Sequence, residues 1–463
     1  MPVAYPKPMR QVLQSVDLGR CRGGHGHQPV PGRARSKCIL TSGSDEASKC
    51  QPGDCRERLL GAVVSLRTTF RYKLVSVTAP NEESRSVLSS LADSLQLDVW
   101  RDATGFGTPA LVLLKPQAAA EFFETASKKG LAVSTNSQDL QELLDNERKE
   151  VHFATYSKTS DRFERYLTYD EFKDALQQYA KEYDHVTYTS IGRSYEGRDI
   201  IGVHIKAKEN LPIVFLECGI HAREWIVHAT CLYIIDQLAT HYGKKGDISR
   251  LLSTYEWRIY PIVNPDGYEY SHTTDRLWRK NRSHSRFSEC IGADVNRNFD
   301  IGQYCTGRSS TDPCEPSYCG DEPFSEPESR AVRDALGATR GRTEFYFTLH
   351  NFGLLWMFAY AHRTQKVPEH DELMNISARA SEAMKKIRGN EFDYGPISTT
   401  LYRSSGHSVD WAYENGGVKK AFIVELEPSW RTTNPNKGFV LPVREILSTV
   451  KEAWVGIKAA VAP

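Results

Sequence analysis

Two imidazoles and two carboxylates, each closing an apolar, strand-like run, are the residues of this chain best placed to do chemistry. His221 and Glu224, within His221-Ala222-Arg223-Glu224, follow the run Ile213-Val214-Phe215-Leu216. His350 ends Phe345-Tyr346-Phe347-Thr348-Leu349, and Glu425 ends Ala421-Phe422-Ile423-Val424. Two His and one Glu form the protein ligand set of a catalytic zinc ion, which keeps its fourth position for water. A further carboxylate beside that water can act as its general base. The His-x-x-Glu spacing alone carries little, because a chain with 14 His meets it by chance on the order of once. It is also not the His-Glu-x-x-His pattern, whose two histidines lie one turn apart on a helix. Here the second histidine must come from a distant strand. The weight comes from placement: open α/β sheets gather their ligands outside the carboxyl ends of the strands, and all four residues fall there.

Those runs sit within a longer alternation. From about residue 150, Leu211 to Cys218 reads as a strand and Trp225 to Leu238 as a helix with Ile226, Ala229, Tyr233 and Leu238 on its apolar positions. Tyr255 to Val263 is a strand closed by the turn Asn264-Pro265-Asp266-Gly267, and the helix Ser325 to Gly337 leads into the strand ending at His350. This order predicts an α/β fold, a mixed and largely parallel sheet with helices on both faces. Arg276 to Cys319 is long, polar and Cys-containing, the composition of a disulfide-held loop region. Upstream, Tyr72–Thr78, Leu97–Arg101, Ala110–Leu114 and Leu131–Thr135 read as strands, with helices over Glu82–Gln96 and Gln117–Lys129. The order βαββαβ is the ferredoxin-like α+β unit. Ser137 to Glu150 reads as a connecting helix ending in Arg148-Lys149, which is either solvated surface or a site for a trypsin-like processing protease. Residues 1–67 are rich in Gly, Pro, Ser and Arg without amphipathic periodicity, so they are expected to be disordered. The expected domains are 1–67, unassigned; 68–149, the small α+β domain; and 150–463, the large α/β domain.

Composition narrows the class of partner. Lys plus Arg is 59 and Asp plus Glu 58 over 463 residues, a net charge of +1 with no global pull toward nucleic acid or anionic membranes. No apolar run has the length of a membrane span. Met1 to Arg20 lacks a hydrophobic region and Leu59 to Leu66 is short and deep in the chain, so no signal peptide is evident. The cysteines point outside the cell nonetheless. Cys21, Cys38, Cys50 and Cys55 form an early group, and Cys218, Cys231, Cys290, Cys305, Cys314 and Cys319 a later one that permits three disulfides. Cys305, Cys314 and Cys319 lack the Cys-x-x-Cys pairs of structural zinc. Asn281-Arg282-Ser283 and Asn375-Ile376-Ser377 are candidate glycosylation acceptors that lean the same way, toward a secreted, extracellular protein.

Six blocks in order carry a family resemblance. They are Ile191-Gly192-Arg193-Ser194-Tyr195-Glu196-Gly197-Arg198, Gly219-Ile220-His221-Ala222-Arg223-Glu224-Trp225-Ile226, Asn264-Pro265-Asp266-Gly267-Tyr268, Leu277-Trp278-Arg279-Lys280-Asn281-Arg282, Asp294-Val295-Asn296-Arg297-Asn298-Phe299 and Thr399-Thr400-Leu401-Tyr402-Arg403-Ser404-Ser405-Gly406. Over about 68 to 463 the chain resembles a zinc metallocarboxypeptidase of the A/B subfamily, the funnelin group related to pancreatic digestive carboxypeptidases, in proenzyme form. The resemblance implies one Zn2+ per chain on His221, Glu224 and His350, with Glu425 as general base and Arg279 polarising the scissile carbonyl and stabilising the oxyanion. It further implies that Asn296 and Arg297 grip the free carboxylate of a peptide or protein C-terminus, a task suited to the bidentate Arg fork. Tyr402 would close over the site, Arg223 would line a subsite further along the peptide, and Asp294 would orient His221. The implied disulfides are Cys218–Cys231, Cys290–Cys314 and Cys305–Cys319. The small domain becomes an activation segment, released by a trypsin-like protease cutting near Arg148-Lys149.

Position alone leaves Glu427 as a competing base on the same strand; the family pattern favours Glu425. Val409 occupies the position resembling the specificity determinant, and with Ile397, Leu401 and Ala361 implies an apolar pocket for aliphatic or aromatic C-terminal residues. The chain also departs from the family. Asn351-Phe352 replaces Ser-Tyr after His350, Gly406-His407 replaces Gly-Gly, Leu426-Glu427-Pro428-Ser429-Trp430 follows the base, and Gly416-Gly417 carries an extra residue. These departures keep open a rival reading, a protein of the same fold that binds zinc or peptide with little turnover.

Overall fold

The computed structural model describes residues 71–103, 109–135, 140–157, 162–429 and 438–462. Segment 1–67 with its four cysteines, the turn at 104–108 and the loop starting at Trp430 lie outside them. The first sheet is built from β1 (Lys73–Thr78), β2 (Asp98–Arg101), β3 (Ala110–Leu114) and β4 (Ala132–Thr135) in the order β2-β3-β1-β4, with every pairing antiparallel. Helices Glu82–Ser94 and Pro116–Lys128 complete the expected βαββαβ order. Alternate strand residues Val75, Val77, Val112 and Leu114 meet Leu88, Leu91 and Phe122 of the helices in a core of their own. The opposite side of the sheet is not left to water. Leu74, Leu111 and Leu113 join Leu140, Leu144, Leu277, Phe439 and Val440 in a second apolar cluster shared with the large domain.

The connecting helix runs from Leu140 to Ser157, past the expected end at 150, so Arg148 and Lys149 lie within a helix, both exposed. The residue beside them does not: Glu147 is buried, and its carboxylate pairs with Arg276 of the large domain at 2.5 Å.

The large sheet comprises β5 (Val186–Arg193), β6 (Asp199–Ile205), β7 (Ile213–Cys218), β8 (Glu256–Tyr260), β9 (Thr343–Asn351), β10 (Leu355–Phe358), β11 (Asp393–Pro396) and β12 (Lys420–Leu426). Their order is β11-β10-β12-β9-β7-β8-β6-β5. The centre, β12-β9-β7-β8, is parallel, while β10 against β12 and the β8-β6-β5 side are antiparallel, the mixed sheet that was expected. Every residue of β7 is buried, which explains its continuous rather than alternating apolar run. Helix Trp225–His241 is apolar nearly all round because it is enclosed between the sheet and helix Ile446–Val461. Disulfide Cys218–Cys231 ties that helix to β7, and Cys290–Cys314 and Cys305–Cys319 staple the long polar loop, the three pairings the family resemblance implied.

Candidate active site

The parallel centre of the sheet delivers the chemistry. Glu425 of β12 stands opposite His350 of β9 in register, and His221 lies three residues beyond the end of β7. Gly219 makes the turn between them at φ +71, where a Cβ would fall on the His228 ring. Asn264 then fixes the next loops: its Nδ2 donates to the carbonyls of Ile220 and Lys280, both at 3.1 Å, and its Oδ1 accepts from Gly267 N. The Asn264-Pro265-Asp266-Gly267 block is thus a clamp that sets His221 beside Arg279. Asp266 binds Ser194 Oγ, Glu196 N and Arg198, which gives the Ile191–Arg198 block a scaffolding role too.

His221, Glu224 and His350 converge in a buried group whose ligand atoms all lie within 4.8 Å of one another. His221 Nδ1 is 2.8 Å from Glu224 Oε1 and 3.1 Å from His350 Nδ1, which is itself 3.2 Å from Glu224 Oε2. Two ring nitrogens and a carboxylate that face one another repel unless a cation or proton lies among them. This donor set fits zinc, which takes neutral imidazole and carboxylate ligands. The outer contacts hold the rings with their Nδ1 atoms inward. His221 Nε2 is 3.1 Å from Asp294 Oδ1, and His350 Nε2 is 3.0 Å from Thr348 Oγ1. Burial and the Arg279 charge push the His221 imidazole below its ordinary range, toward the neutral form that a ligand needs. Burial works the other way on Glu224, but the two histidines outweigh it and keep the group an anion.

Asp294 is a hub. It accepts from Arg279 Nε and Nη2 at 3.0 and 2.8 Å, contacts His221, and caps the short helix Val295–Arg297 through Asn296 N. Burial opposes its charge, but Arg279, His221 and Arg297 hold its carboxyl well below the usual range. One cavity of about 500 Å³ is lined by His221, Glu224, His350, Glu425, Arg279, Asn296, Arg297, Tyr402 and Arg223. Arg297 Nη2 reaches Tyr402 OH at 3.4 Å. Burial, together with the neighbouring Glu224 charge, raises the Glu425 carboxyl despite the opposing His350. Glu427, the positional competitor, does not line this cavity; it pairs with Arg388 and Thr449 instead, because β12 ends at Leu426 and strand alternation no longer applies.

Two readings change with the structure. Val409 is fully buried in the first turn of helix Ser408–Glu414 and is not on the cavity wall; Ile397 and Leu401 are, and so is His407. Asn281 is also fully buried, its Nδ2 shared between Glu326 and Glu328 at 2.6 and 2.9 Å, so a glycan has no room there, whereas Asn375 is exposed. Phe352 packs into an aromatic group with Trp100 and Phe439, at 6.0 and 5.1 Å between ring centres.

That group lies where the small domain meets the cavity, through Trp100, a contact the sequence does not localise. Asp98, Val99, Trp100 and Arg101 of the small domain line the same cavity as the zinc-type cluster. Asp98 pairs with both terminal nitrogens of Arg223, and Trp100 stands 4.7 Å from Phe439, over whose ring Arg223 lies at 4.0 Å. No local signal marks Asp98, which is 125 residues from its partner.

Comparison with known proteins agrees with this geometry. Residues 172–456 match the zinc carboxypeptidase family, and residues 75–147 match the carboxypeptidase activation peptide. Carboxypeptidase A2 of Rattus norvegicus is 34% identical over 408 residues, covering 86% of this chain and 95% of the relative. Among solved structures, carboxypeptidase A from Helicoverpa armigera superposes with a TM-score of 0.77 at 28% identity, covering 85% of this chain and 97% of that one. Thrombin activatable fibrinolysis inhibitor does so at 0.76 and 27% identity, covering 84% and 98%. This chain belongs to the zinc carboxypeptidases, metallopeptidases that act on peptide C-termini, and it carries a carboxypeptidase activation peptide.

Proposed function

We propose that His221, Glu224 and His350 hold the zinc ion, one per chain, and that Glu425, Arg279, Asn296, Arg297 and Tyr402 perform C-terminal hydrolysis around it. The observation that carries this is their meeting on one cavity, with a buried His-Glu-His group at its base. Bound zinc supplies Lewis acidity there. Arg297, with Asn296, holds the terminal carboxylate, and Tyr402, already within reach of Arg297, closes over it. That grip sets the reach of the site, so the bond presented is the last one. Glu425 takes the proton of the attacking water and passes it to the leaving amine. Arg279, oriented by two bonds to Asp294, stabilises the oxyanion as it forms. Arg223 serves a subsite further up the peptide once Asp98 is withdrawn.

Ile397 and Leu401 line the cavity that holds Arg297, and Val409 is fully buried nearby in sequence, at the start of the helix that follows His407. The pocket is read as favouring aliphatic or aromatic C-terminal residues over charged ones. Activation is assigned to a trypsin-like protease at Arg148-Lys149, exposed next to the Glu147 anchor, which divides the domains at about 149/150. Three disulfides favour a secreted, extracellular setting, and among the described residues no helix is long and apolar enough to cross a membrane. The test is C-terminal residue release from a peptide library by trypsin-treated protein, with and without a zinc chelator. Chelator-sensitive release of one neutral residue, appearing only after trypsin, is expected; release of basic or acidic ends instead removes the pocket assignment.

A further inference from the structure

Beside the carboxylate grip, one wall of the cavity is made by the segment leading into helix Ser408–Glu414. Gly406 sits at φ +79 with its Cα pressed against the Arg297 backbone, where a Cβ would strike the carbonyl. Ser408 N donates to Asn296 Oδ1 at 2.9 Å. Between these two anchors His407 lines the cavity, 3% exposed, in the company of Ile397, Leu401 and Ile423. Its Nε2 is 2.6 Å from Ser404 Oγ, while Nδ1 is buried and has no hydrogen-bond partner among the described residues. Buried polar atoms are nearly always paired, and an unpaired one on a residue that lines a binding cavity is a place where a ligand can complete the bond.

We propose that His407 determines specificity: its Nδ1 hydrogen-bonds a hydroxyl or carboxamide on the side chain of the substrate's C-terminal residue, so the enzyme prefers neutral hydrogen-bonding ends to their apolar isosteres. This rests on the assignment of Asn296 and Arg297 as the carboxylate grip; it keeps the exclusion of charged ends but, among uncharged ones, sets polar residues above the aliphatic ones that Ile397 and Leu401 alone would favour. Burial and the neighbouring Arg297 guanidinium hold the imidazole well below its ordinary range, hence uncharged. A neutral ring has one N–H, and the Ser404 hydroxyl can either donate to Nε2 or accept from it. Turning the hydroxyl together with a change of tautomer makes Nδ1 a donor or an acceptor. Such an atom suits a hydroxyl, an amide carbonyl or an amide NH2 alike and offers no counter-charge to an ionised side chain.

The test uses activated, zinc-loaded enzyme on three peptide pairs that differ only at the C-terminus: Tyr or Phe, Asn or Leu, Thr or Val. In at least one pair kcat/KM is expected to favour the polar member by about tenfold or more, since a polar site left unpaired discriminates on that scale. His407→Phe, which fills similar space without a polar atom, should abolish that preference, and His407→Gln should retain part of it. No preference in any pair for the wild type, or a preference that survives His407→Phe, overturns the proposal while leaving the carboxypeptidase site intact. Release of none of the six peptides would instead overturn the site assignment beneath it. Should His407→Phe fail to fold, the wild-type ratios and His407→Gln still decide.

Discussion

Substituting Asp98→Asn tests whether the small domain keeps the enzyme latent through the Arg223 pair. Both side chains are buried, at 7% and 3% exposure, and Asp98 meets both terminal nitrogens of the guanidinium. Removing one partner of a buried pair costs about 3–5 kcal/mol, because the other charge is left uncompensated. Here the cost falls on the closed state alone, since Arg223 regains water when the small domain leaves. The Asn carbonyl still accepts one bond and the cavity is open to solvent, so about half that cost is the better figure. A shift of about 1.5–2.5 kcal/mol raises the open population of the uncleaved chain roughly ten- to sixtyfold. The assay is the initial rate of C-terminal residue release by uncleaved protein, read beside the same samples after activation. Uncleaved Asp98→Asn should exceed wild type by that factor, and the activated enzymes should be equal because residue 98 has gone. Uncleaved activity within twofold of wild type would refute the lock, and Trp100 with the shared apolar cluster would carry latency instead. The pH behaviour has a definite sign. Burial pushes the Asp98 carboxyl up, but Arg223 outweighs it and the net value is lowered from 3.8. The pair therefore contributes fully above that ordinary value and fades only as pH falls through the depressed one. Latency should be flat from about pH 8 to about pH 5.

Glu425→Gln should lower kcat by about 10²–10⁴ with zinc content unchanged by metal analysis; activity within tenfold of wild type would remove it as the base. Glu328 is fully buried beside Asn281 and Glu326, and its carboxyl is pushed up to about 7, first by burial and, despite the Asn281 bond, by the neighbouring Glu326. Since the folded state then holds this proton more tightly than the unfolded chain, wild-type stability should fall as pH rises from about 4.5 through 7, and Glu328→Gln should flatten that slope in thermal melts. Equal slopes would mean that Glu328 titrates normally. Chelation of zinc should abolish peptide release and lower the melting temperature, because the ring nitrogens of His221 and His350, 3.1 Å apart, lose the cation they share. An unchanged melt with lost activity would place the metal elsewhere.

Local patterns, readable in one dimension, marked the parallel centre of the sheet and the chemical residues at its strand ends. Strands buried on both faces must be continuously apolar, so β7, β9 and β12 showed themselves as runs, and His221, His350 and Glu425 showed themselves as the polar residues that ended them. The ferredoxin-like order was legible for the same reason, through alternating periods of strand and helix. Arg279, Asn296 and Arg297 sit in a polar loop without periodicity, and only the family blocks singled them out. What tertiary structure alone decided was contact between distant segments. Asp98 reaching Arg223, Glu147 reaching Arg276, Glu427 turning from the cavity toward Arg388, and Asn281 being sealed between Glu326 and Glu328 leave no trace in local spacing. Val409 gave way to His407 on the cavity wall for the same reason: which neighbour in a short turn faces a pocket depends on how the loop is pinned, here by Gly406 against Arg297 and Ser408 on Asn296. Periodicity records which face of an element is buried; it carries no information on what that face, or the loop beyond it, will meet.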